Sequence, residues 1–435
     1  MKFWKWMQAL ALSLIVVMLA AACGNSGASG ETGGGSAVTI TLLNSKGEIQ
    51  SQLEEAAKAF KGDNPDITLE IIPVPAGQSP FEKASALYAS GNPATITMLD
   101  TGDVEKFKDR VLDLSGEKWM ADAVDRSTAL TTFDGKNYAF PLAIEGYGFI
   151  YNKAVVDQAV GGTFDPAAIN TTAALEELFK KIEASGKAPL IVSPMDWSLG
   201  AHYLPLAYAG QSADPAAVAQ FVKDLKAGKI ELTSNSVYNG LLDTFDLMAK
   251  YNIDKASPLS GTYERGPEVL GKGEVGIWFQ GNWAWPQISG FDTASGQYGF
   301  LPVPVSNNAD DFGNTQISSA VSKRLVLDKE KNTAEQQTAA KKFLEWMVYS
   351  DKGQDFLVNK ANIIPAFKNI TLEAQDPLAK SITDYIAEGK TQDSMSTLPA
   401  DHWAKIGASM QKYLAGEADR SVLTKEIQEY WKSVK

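Results

Sequence analysis

Several tryptophan residues lie beside polar, turn-forming residues, where a tryptophan packed in a core is less expected. Trp197 and Trp283 each follow an apolar run of the kind that forms a strand, and Trp403 follows a polar loop. An aromatic face covers the C–H groups of a sugar ring, while nearby amide, carboxylate and N–H groups hydrogen-bond with its hydroxyls. These residue types indicate carbohydrate binding, with packing as the structural alternative for each one. Trp346 and Trp431 lie on apolar helical stripes and are predicted to be core residues.

Other kinds of site lack the residues that they need. The chain has two histidines and one cysteine, too few for a zinc cluster, a disulfide framework or a Cys–His nucleophile pair. It contains no G-x-S-x-G elbow, P-loop or H-E-x-x-H motif, and no pair of carboxylates stands out among its 52 acidic residues. Asp310 and Asp311 lack the rest of a calcium-binding loop. We therefore predict a binding protein with no catalytic residues, cofactor or metal.

The composition is that of a folded globular protein. The 435 residues are 44% hydrophobic and 21% charged, and the formal net charge is −12. Because nucleic acid phosphates require a basic surface, this balance argues against a nucleic acid partner. At about 100–200 residues per domain, the length predicts two or three domains.

The amino terminus has the pattern of a targeting segment. Lys2 and Lys5 precede an apolar run over residues 7–22, which is short for a membrane span and typical of a signal peptide. Cys23 directly follows small residues and resembles a bacterial lipobox, in which the cysteine is diacylated. We expect a signal peptide over 1–22, then the lipidated Cys23 and a flexible tether to residue 36, on the outer face of a bacterial cell membrane. A plain cleaved secretory signal is the alternative.

Strand-like and helical patterns alternate after the tether. They fall in turn at residues 38–43, 48–61, 67–72, 81–88 and 94–99. This order predicts a parallel sheet with right-handed crossovers, which binds ligands beyond the carboxyl ends of its strands. Asn44 and Lys46 follow the first strand, and Asp100 and Asp103 follow the third.

A second α/β stretch begins near residue 151. Strand patterns cover residues 189–192 and 274–279, and helical patterns cover residues 175–182, 216–225, 237–249 and 333–349, with two amphipathic helices closing the chain. Thr333 and Gln336 have the spacing of a capping box at the start of one of these helices. The sequence shows no repeat of fixed period, so two α/β lobes are predicted rather than a solenoid or propeller.

Three segments resemble the sugar-type extracellular solute-binding proteins of ABC importers, the maltodextrin-binding group. The most specific is residues 134–153 (DGKNYAFPLAIEGYGFIYNK), which is similar to the family's crossing between lobes. Residues 271–283 (GKGEVGIWFQGNW) are similar as well, as are residues 340–347 (AKKFLEWM) leading to residues 363–366 (IIPA). The resemblance extends over the chain from Val38 onward.

The resemblance implies a two-lobed periplasmic-binding-protein-like α/β fold of type II, with a hinge and a ligand cleft between the lobes. Lobe 1 is expected to comprise residues 37–145 and 307–368, and lobe 2 residues 146–306 and 369–435. The resemblance also implies a monomer that closes on a sugar by hinge motion and then docks on the membrane permease of an ABC importer.

The resemblance also assigns roles to individual residues. Asn44 and Lys46 match polar ligand contacts after the first strand, and Glu145 matches a carboxylate near the hinge that accepts from sugar hydroxyls. Trp283 and Trp403 match stacking tryptophans. The remaining ligand-binding candidates are Trp197, His202, Asp100 and Asp103.

Several interpretations remain open at this stage. Multiple aromatic candidates favour an oligosaccharide over a monosaccharide. The same fold could instead hold a polyamine or another cationic amine, because acidic residues beside aromatics also capture cations. A glycoside-processing enzyme on the cell surface and a receptor that presents its ligand to a membrane kinase are further alternatives.

Overall fold

The computed structural model of the chain describes residues 37–75 and 78–434. The expected signal peptide (1–22), the lipidated Cys23 and the tether (to residue 36) lie outside the described residues. The strands are β1 (Val38–Asn44), β2 (Ile67–Pro73), β3 (Ile96–Asp100), β4 (Thr132–Phe133), β5 (Lys136–Asn137), β6 (Phe140–Asn152), β7 (Ala188–Ile191), β8 (Val275–Gly281), β9 (Tyr298–Leu301), β10 (Ile317–Leu327) and β11 (Thr391–Gln392).

Helices form most of the connections between the strands and the end of the chain. They are α1 (Gln50–Asp63), α2 (Pro80–Ala89), α3 (Val104–Phe107), α4 (Lys153–Val160), α5 (Thr172–Ala184), α6 (Leu206–Ala209), α7 (Pro215–Lys226), α8 (Ser236–Tyr251), α9 (Arg265–Gly271), α10 (Trp285–Ile288), α11 (Ala334–Tyr349), α12 (Asp351–Asp355), α13 (Pro377–Ala387), α14 (His402–Leu414) and α15 (Arg420–Ser433). The predicted capping box is confirmed, since the Thr333 and Gln336 side chains each accept from the other's backbone N–H at the start of α11.

One mixed sheet of nine strands organises the fold. Its order is β2-β1-β3-β10-β6-β8-β7, with β9 also paired to β6 and β11 to β10. Strand β1 pairs in parallel with β2 and β3, which confirms the parallel sheet predicted at the start of the chain. Strand β10 pairs antiparallel with both β3 and β6, so it joins that parallel part to the rest of the sheet.

Strand β6 belongs to both halves of the sheet. Its first part pairs with β10 from Phe140 to Tyr147, and its second part pairs with β8 and β9 from Tyr147 to Asn152. All of its residues except the half-buried Ile144 are buried. Residues near Tyr147 therefore lie where the two halves of the sheet meet.

Separate hydrophobic cores pack on the two ends of the sheet. The first core includes Phe60, Trp119 and Phe343 and covers β1, β3 and the start of β6. The second core includes Phe149 and Trp431 and covers the end of β6, β8 and helices α5, α8, α14 and α15. Burial of these large side chains contributes about 25 cal/mol per Å² of apolar surface and stabilises each end separately.

The two tryptophans that were predicted to be core residues are both buried. Trp431 is 1% exposed in the second core, and Trp346 is 7% exposed in the first, stacked on Phe343 at 5.9 Å between ring centroids. The Trp346 indole N–H donates to Asp63 at 2.9 Å, which satisfies its one donor at the edge of the core.

Candidate functional site

Five charged residues form a polar surface where β1, β3, β6 and β10 end or cross. We call it the charged wall: Lys46, Glu48, Asp100, Glu145 and Lys323. The Lys46 ammonium donates to the Glu145 carboxylate and lies 2.7 Å from the carboxylate of Glu48. The Lys323 ammonium lies 2.5 Å from Asp100 on the neighbouring strand. Each charge of the wall therefore has a partner of opposite sign.

Burial strengthens the pairing at the centre of the charged wall. Lys46 is 4% exposed and Glu145 is 8% exposed. Burial alone raises the pKa of Glu145, but the charges of Lys46 and Lys323 outweigh it and hold that pKa below its usual value. Burial likewise lowers the pKa of Lys46, but Glu145 and Glu48 raise it to a value above the usual one. The other oxygen of Glu145 accepts a hydrogen bond from Ser322.

Five aromatic rings form a second group of side chains in contact with one another, near the charged wall. We call this set the aromatic wall: Tyr147, Trp197, His202, Tyr263 and Trp283. The His202 ring is central, with centroid distances of 4.7 Å to Tyr147, 4.9 Å to Trp283 and 5.5 Å to Trp197. Trp197 also contacts Tyr263 at 5.6 Å. Trp197, His202 and Trp283 were predicted as site residues, and the fold brings these three together.

The surroundings of His202 disfavour its protonated form. Burial lowers its pKa to about 4, because the low-dielectric surroundings disfavour the imidazolium. It lies in a π-helical turn over residues 198–203, a feature that is often found at functional sites. Its Nδ1 atom is buried and has no hydrogen-bond partner among the described residues.

One narrow cleft joins the charged wall to the aromatic wall at Trp283. Lys46, Glu48 and Glu145 from the charged wall share a cavity with Trp283 from the aromatic wall, and Asn282 also lines it. The Asn282 side-chain oxygen accepts from the Gly146 N–H at 2.9 Å, which fixes the segment that carries Trp283 against β6. The cleft combines ring faces on one side with hydrogen-bonding groups on the other.

The other predicted site residues have different surroundings. The Asn44 side chain donates to the Lys46 carbonyl at 2.9 Å and accepts from the Lys46 N–H at 2.8 Å, so it shapes the turn that presents Lys46. Asp103 pairs with Lys106 at 2.7 Å, while burial raises its pKa. Trp403 is half-buried at the start of α14, and no aromatic ring of the described residues contacts it. Ligand contact by these three residues stays a prediction, as it does for the other predicted site residues.

Several residues of the two walls and of the cavity were not singled out in the sequence. Tyr147 and Asn282 lie inside the segments that carry the family resemblance, so a residue-by-residue comparison of those segments could have included them. Glu48, Tyr263 and Lys323 had no comparable signal, since their positions depend on how distant strands and helices meet.

The described residues offer no site for a metal or a membrane span. In residues 37–75 and 78–434, no group of three or more His, Cys, Asp or Glu side chains is arranged to hold a metal ion. No helix over the same ranges is long and apolar enough to cross a bilayer.

Comparisons with known proteins point to one family. A family model described as bacterial extracellular solute-binding protein matches residues 55–387. Among solved structures, the solute-binding protein RafE in complex with raffinose has a TM-score of 0.76 at 19% identity, covering 91% of this chain and 99% of that one. A chitin oligosaccharide binding protein has a TM-score of 0.74 at 21% identity, covering 90% and 98%. Maltose-bound MalE3 of T. maritima has a TM-score of 0.70 at 19% identity, covering 91% and 99%. At these identities the structures show the shared α/β fold.

Proposed function

Because this chain belongs to the bacterial extracellular solute-binding proteins, we propose that it captures a neutral sugar in the cleft between its charged and aromatic walls. Members of this family are binding proteins rather than enzymes, and the family is extracellular or periplasmic. In our proposal the sugar is an oligosaccharide, and the protein delivers it to the membrane permease of an ABC importer as a monomer.

The observation that carries this proposal is the pairing of every charge in the charged wall. A cationic amine would compete with Lys46 and Lys323 for their carboxylates, and an anion would compete with those carboxylates for the lysines. A ligand that displaces either member of the Lys46–Glu145 pair would leave the other member buried without its partner, which costs about 3–5 kcal/mol. A neutral polyol inserts hydroxyls that both donate and accept, so it gains hydrogen bonds while the ion pairs stay intact.

The aromatic wall supports a ligand with ring faces. Trp283 and Trp197 are half-buried, so each keeps part of its surface available, and both contact the His202 ring. Apolar C–H patches on a pyranose ring fit such surfaces. The solved structures of similar fold are described with raffinose, chitin oligosaccharide and maltose, which are all built from more than one sugar ring.

Lobe motion follows from the same proposal. We assign residues 37–145 and 307–368 to one lobe and residues 146–306 and 369–435 to the other, with the hinge at the crossing strands β6 and β10. Glu145 and Tyr147 lie at this crossing, one in each wall. Closure would bring a bound sugar between the two walls and present the closed form to the permease.

A thermal-shift screen of the chain from Gly24 onward tests the ligand class. The panel comprises raffinose, maltotriose and chitotriose, with spermidine and amino acids as controls. A ligand present at 100 times its dissociation constant adds about 2.7 kcal/mol of stability, so we expect the melting temperature to rise by several degrees with one sugar series. A rise with spermidine alone would contradict the proposal and favour the amine receptor.

We also propose that Cys23 carries the lipid anchor, because this cysteine directly follows the small residues of a lipobox-like signal. Two acyl chains give stable attachment where one does not. Cys23→Ser should move the protein from the membrane fraction to the medium and abolish its labelling by palmitate. Ser26→Ala in the adjacent tether is the control and should leave both unchanged. Membrane retention and labelling of Cys23→Ser would contradict the anchor.

A further inference from the structure

The segment between β11 and α14 lies against both walls of the cleft. We call residues 393–398 the serine loop. Strand β11 pairs with β10, and the Ser318 hydroxyl donates to the Asp393 carbonyl at 3.1 Å, so the loop starts from the strand crossing. The Tyr147 hydroxyl of the aromatic wall donates to the Ser394 carbonyl at 3.3 Å. The loop is therefore attached to the ligand side of β6.

The opposite side of the serine loop touches the segment that follows β3. A Cβ atom placed on Gly102 would lie 2.7 Å from the Ser396 carbonyl oxygen and 3.6 Å from Thr397 Cα. Gly102 follows Asp100 of the charged wall by two residues. The loop thus contacts Tyr147 of the aromatic wall on one side and the segment after Asp100 of the charged wall on the other.

Two hydroxyl groups of the serine loop are buried and make no hydrogen bond with the described residues. The Oγ atoms of Ser394 and Ser396 have almost no solvent exposure and no hydrogen-bond partner among the described residues. His202 Nδ1 in the aromatic wall and Ser45 Oγ beside Lys46 are likewise buried without a hydrogen-bond partner among the described residues. A buried polar group without a partner is destabilising, and a bound molecule that hydrogen-bonds with it removes that cost.

We propose that Ser394 and Ser396 are ligand-binding residues whose hydroxyls hydrogen-bond with hydroxyl groups of the bound sugar. This inference rests on the proposed function and adds a third side to the cleft. A serine hydroxyl donates one hydrogen bond and accepts two, as a sugar hydroxyl does, so the two kinds of group match without any change of charge. The serine loop then makes its contacts where the two walls approach each other.

The test uses Ser394→Ala, Ser396→Ala and the double variant in the chain from Gly24 onward, in parallel with wild type. Ser421→Ala is the matched control, because Ser421 is exposed on α15 and away from the cleft. Two quantities are measured for each protein: the melting temperature without ligand, and the dissociation constants for raffinose, maltotriose and chitotriose by calorimetry.

We expect each single variant to bind its sugar about 3- to 10-fold more weakly, and the double variant about 10- to 100-fold more weakly. The ligand-free melting temperature should stay the same or rise, because the variants remove unpaired polar groups. A fall in that temperature would show that the hydroxyls stabilise the fold, and unchanged affinity would show that they do not touch the ligand. Either result overturns the inference.

The two readouts separate this inference from the proposed function. Wild type that binds none of the three sugars would refute the proposed function, whereas a lowered ligand-free melting temperature would refute the role of the serines. A steric variant adds an independent check on the loop. Gly102→Ala should weaken binding by crowding the Ser396 carbonyl, while Gly62→Ala on α1, where a Cβ meets no atom within 4 Å, should not. Equal affinities for these two variants would contradict the role of the loop.

Discussion

Replacing Trp283 with alanine is expected to weaken sugar binding by about 1–3 kcal/mol, which corresponds to about 5- to 150-fold in Kd. Trp283 directly follows β8 and is half-buried, with one side against the His202 ring at 4.9 Å and Tyr147 at 6.3 Å. Its remaining surface contributes to the cavity that Lys46 and Glu145 also line. Alanine removes the ring face while leaving the charged wall intact.

The fold should tolerate the change at Trp283. Its ring packs at the margin of the second core, whereas the neighbouring Trp278 on β8 is fully buried and bonded through its indole N–H to Ser193 at 2.9 Å. We therefore expect the Trp283→Ala variant to unfold cooperatively, with a loss of stability smaller than that of a core tryptophan.

Calorimetric titration of wild type and variant with the sugar found in the screen measures the effect. Trp283→Phe keeps a smaller aromatic face and should recover part of the lost affinity. Trp346→Phe is the control, because Trp346 lies in the first core beside Asp63 and away from the cleft. Equal dissociation constants for wild type and Trp283→Ala would show that this ring does not stack on the ligand.

The first strands could be predicted from sequence because their signals are local. Strands β1 and β2 are short, β-branched runs, and α1 and α2 between and after them have clear helical spacing. Helix α1 includes Gly62 and ends at Asp63, so that glycine did not mark its end. Each element could thus be recognised without knowledge of its neighbours. The parallel pairing of β1 with β2 and β3 followed from the strand–helix–strand order.

Strands β6 and β10 escaped prediction for a physical reason. β6 is enclosed over nearly its whole length, so its sequence shows no alternation of polar and apolar residues. β10 carries Ser322 and Lys323 in its middle, a composition usually typical of an exposed segment. Here those residues face Glu145 and Asp100 inside the cleft. The polar residues of the candidate site thus interrupt the pattern by which a strand is normally recognised.

The candidate site was predictable only in part for a related reason. Glu145 and Trp283 lie in segments whose order of residues resembles the family, so their neighbourhoods could be inferred. Lys323 became a site residue through antiparallel pairing across more than two hundred residues of sequence, with Lys323 directly opposite Asp100. Asn44 shows a further limit, since it was predicted to follow the first strand but is the last residue of β1, where its amide holds the turn of Lys46.

Breaking the Lys46–Glu145 pair should have the second large effect, on stability as well as on affinity. Lys46→Met leaves the carboxylates of Glu145 and Glu48 without their shared cation, and Glu145→Gln leaves Lys46 with Glu48 alone. Removing one partner of a buried pair costs about 3–5 kcal/mol. We expect about 1–3 kcal/mol here, because Lys323 and Ser322 still support Glu145 and Glu48 still supports Lys46.

Urea unfolding of wild type, both single variants and the double variant at pH 7 forms a double-mutant cycle. The double variant should lose less stability than the sum of the single losses, because it leaves no unpaired charge between these two positions. Lys390→Met is the control: Lys390 pairs with Glu388 at 2.8 Å on the surface, and its loss should change stability little. Additive losses in the cycle would show that Lys46 and Glu145 do not stabilise each other.

The pH dependence of the same variants gives the sign of the interaction. The folded state holds the pKa of Glu145 below its usual value of 4.5, so the unfolded chain binds the proton more tightly. The stability that Glu145 contributes is therefore fully present above about pH 4.5 and is lost as pH falls through the folded pKa. Glu145→Gln has no carboxyl group to titrate there, so the difference between wild type and variant should shrink in acid. A difference that stays constant from pH 7 down to pH 3 would mean that the variant acts through packing, and the ionised pair would then have no part in holding the charged wall together.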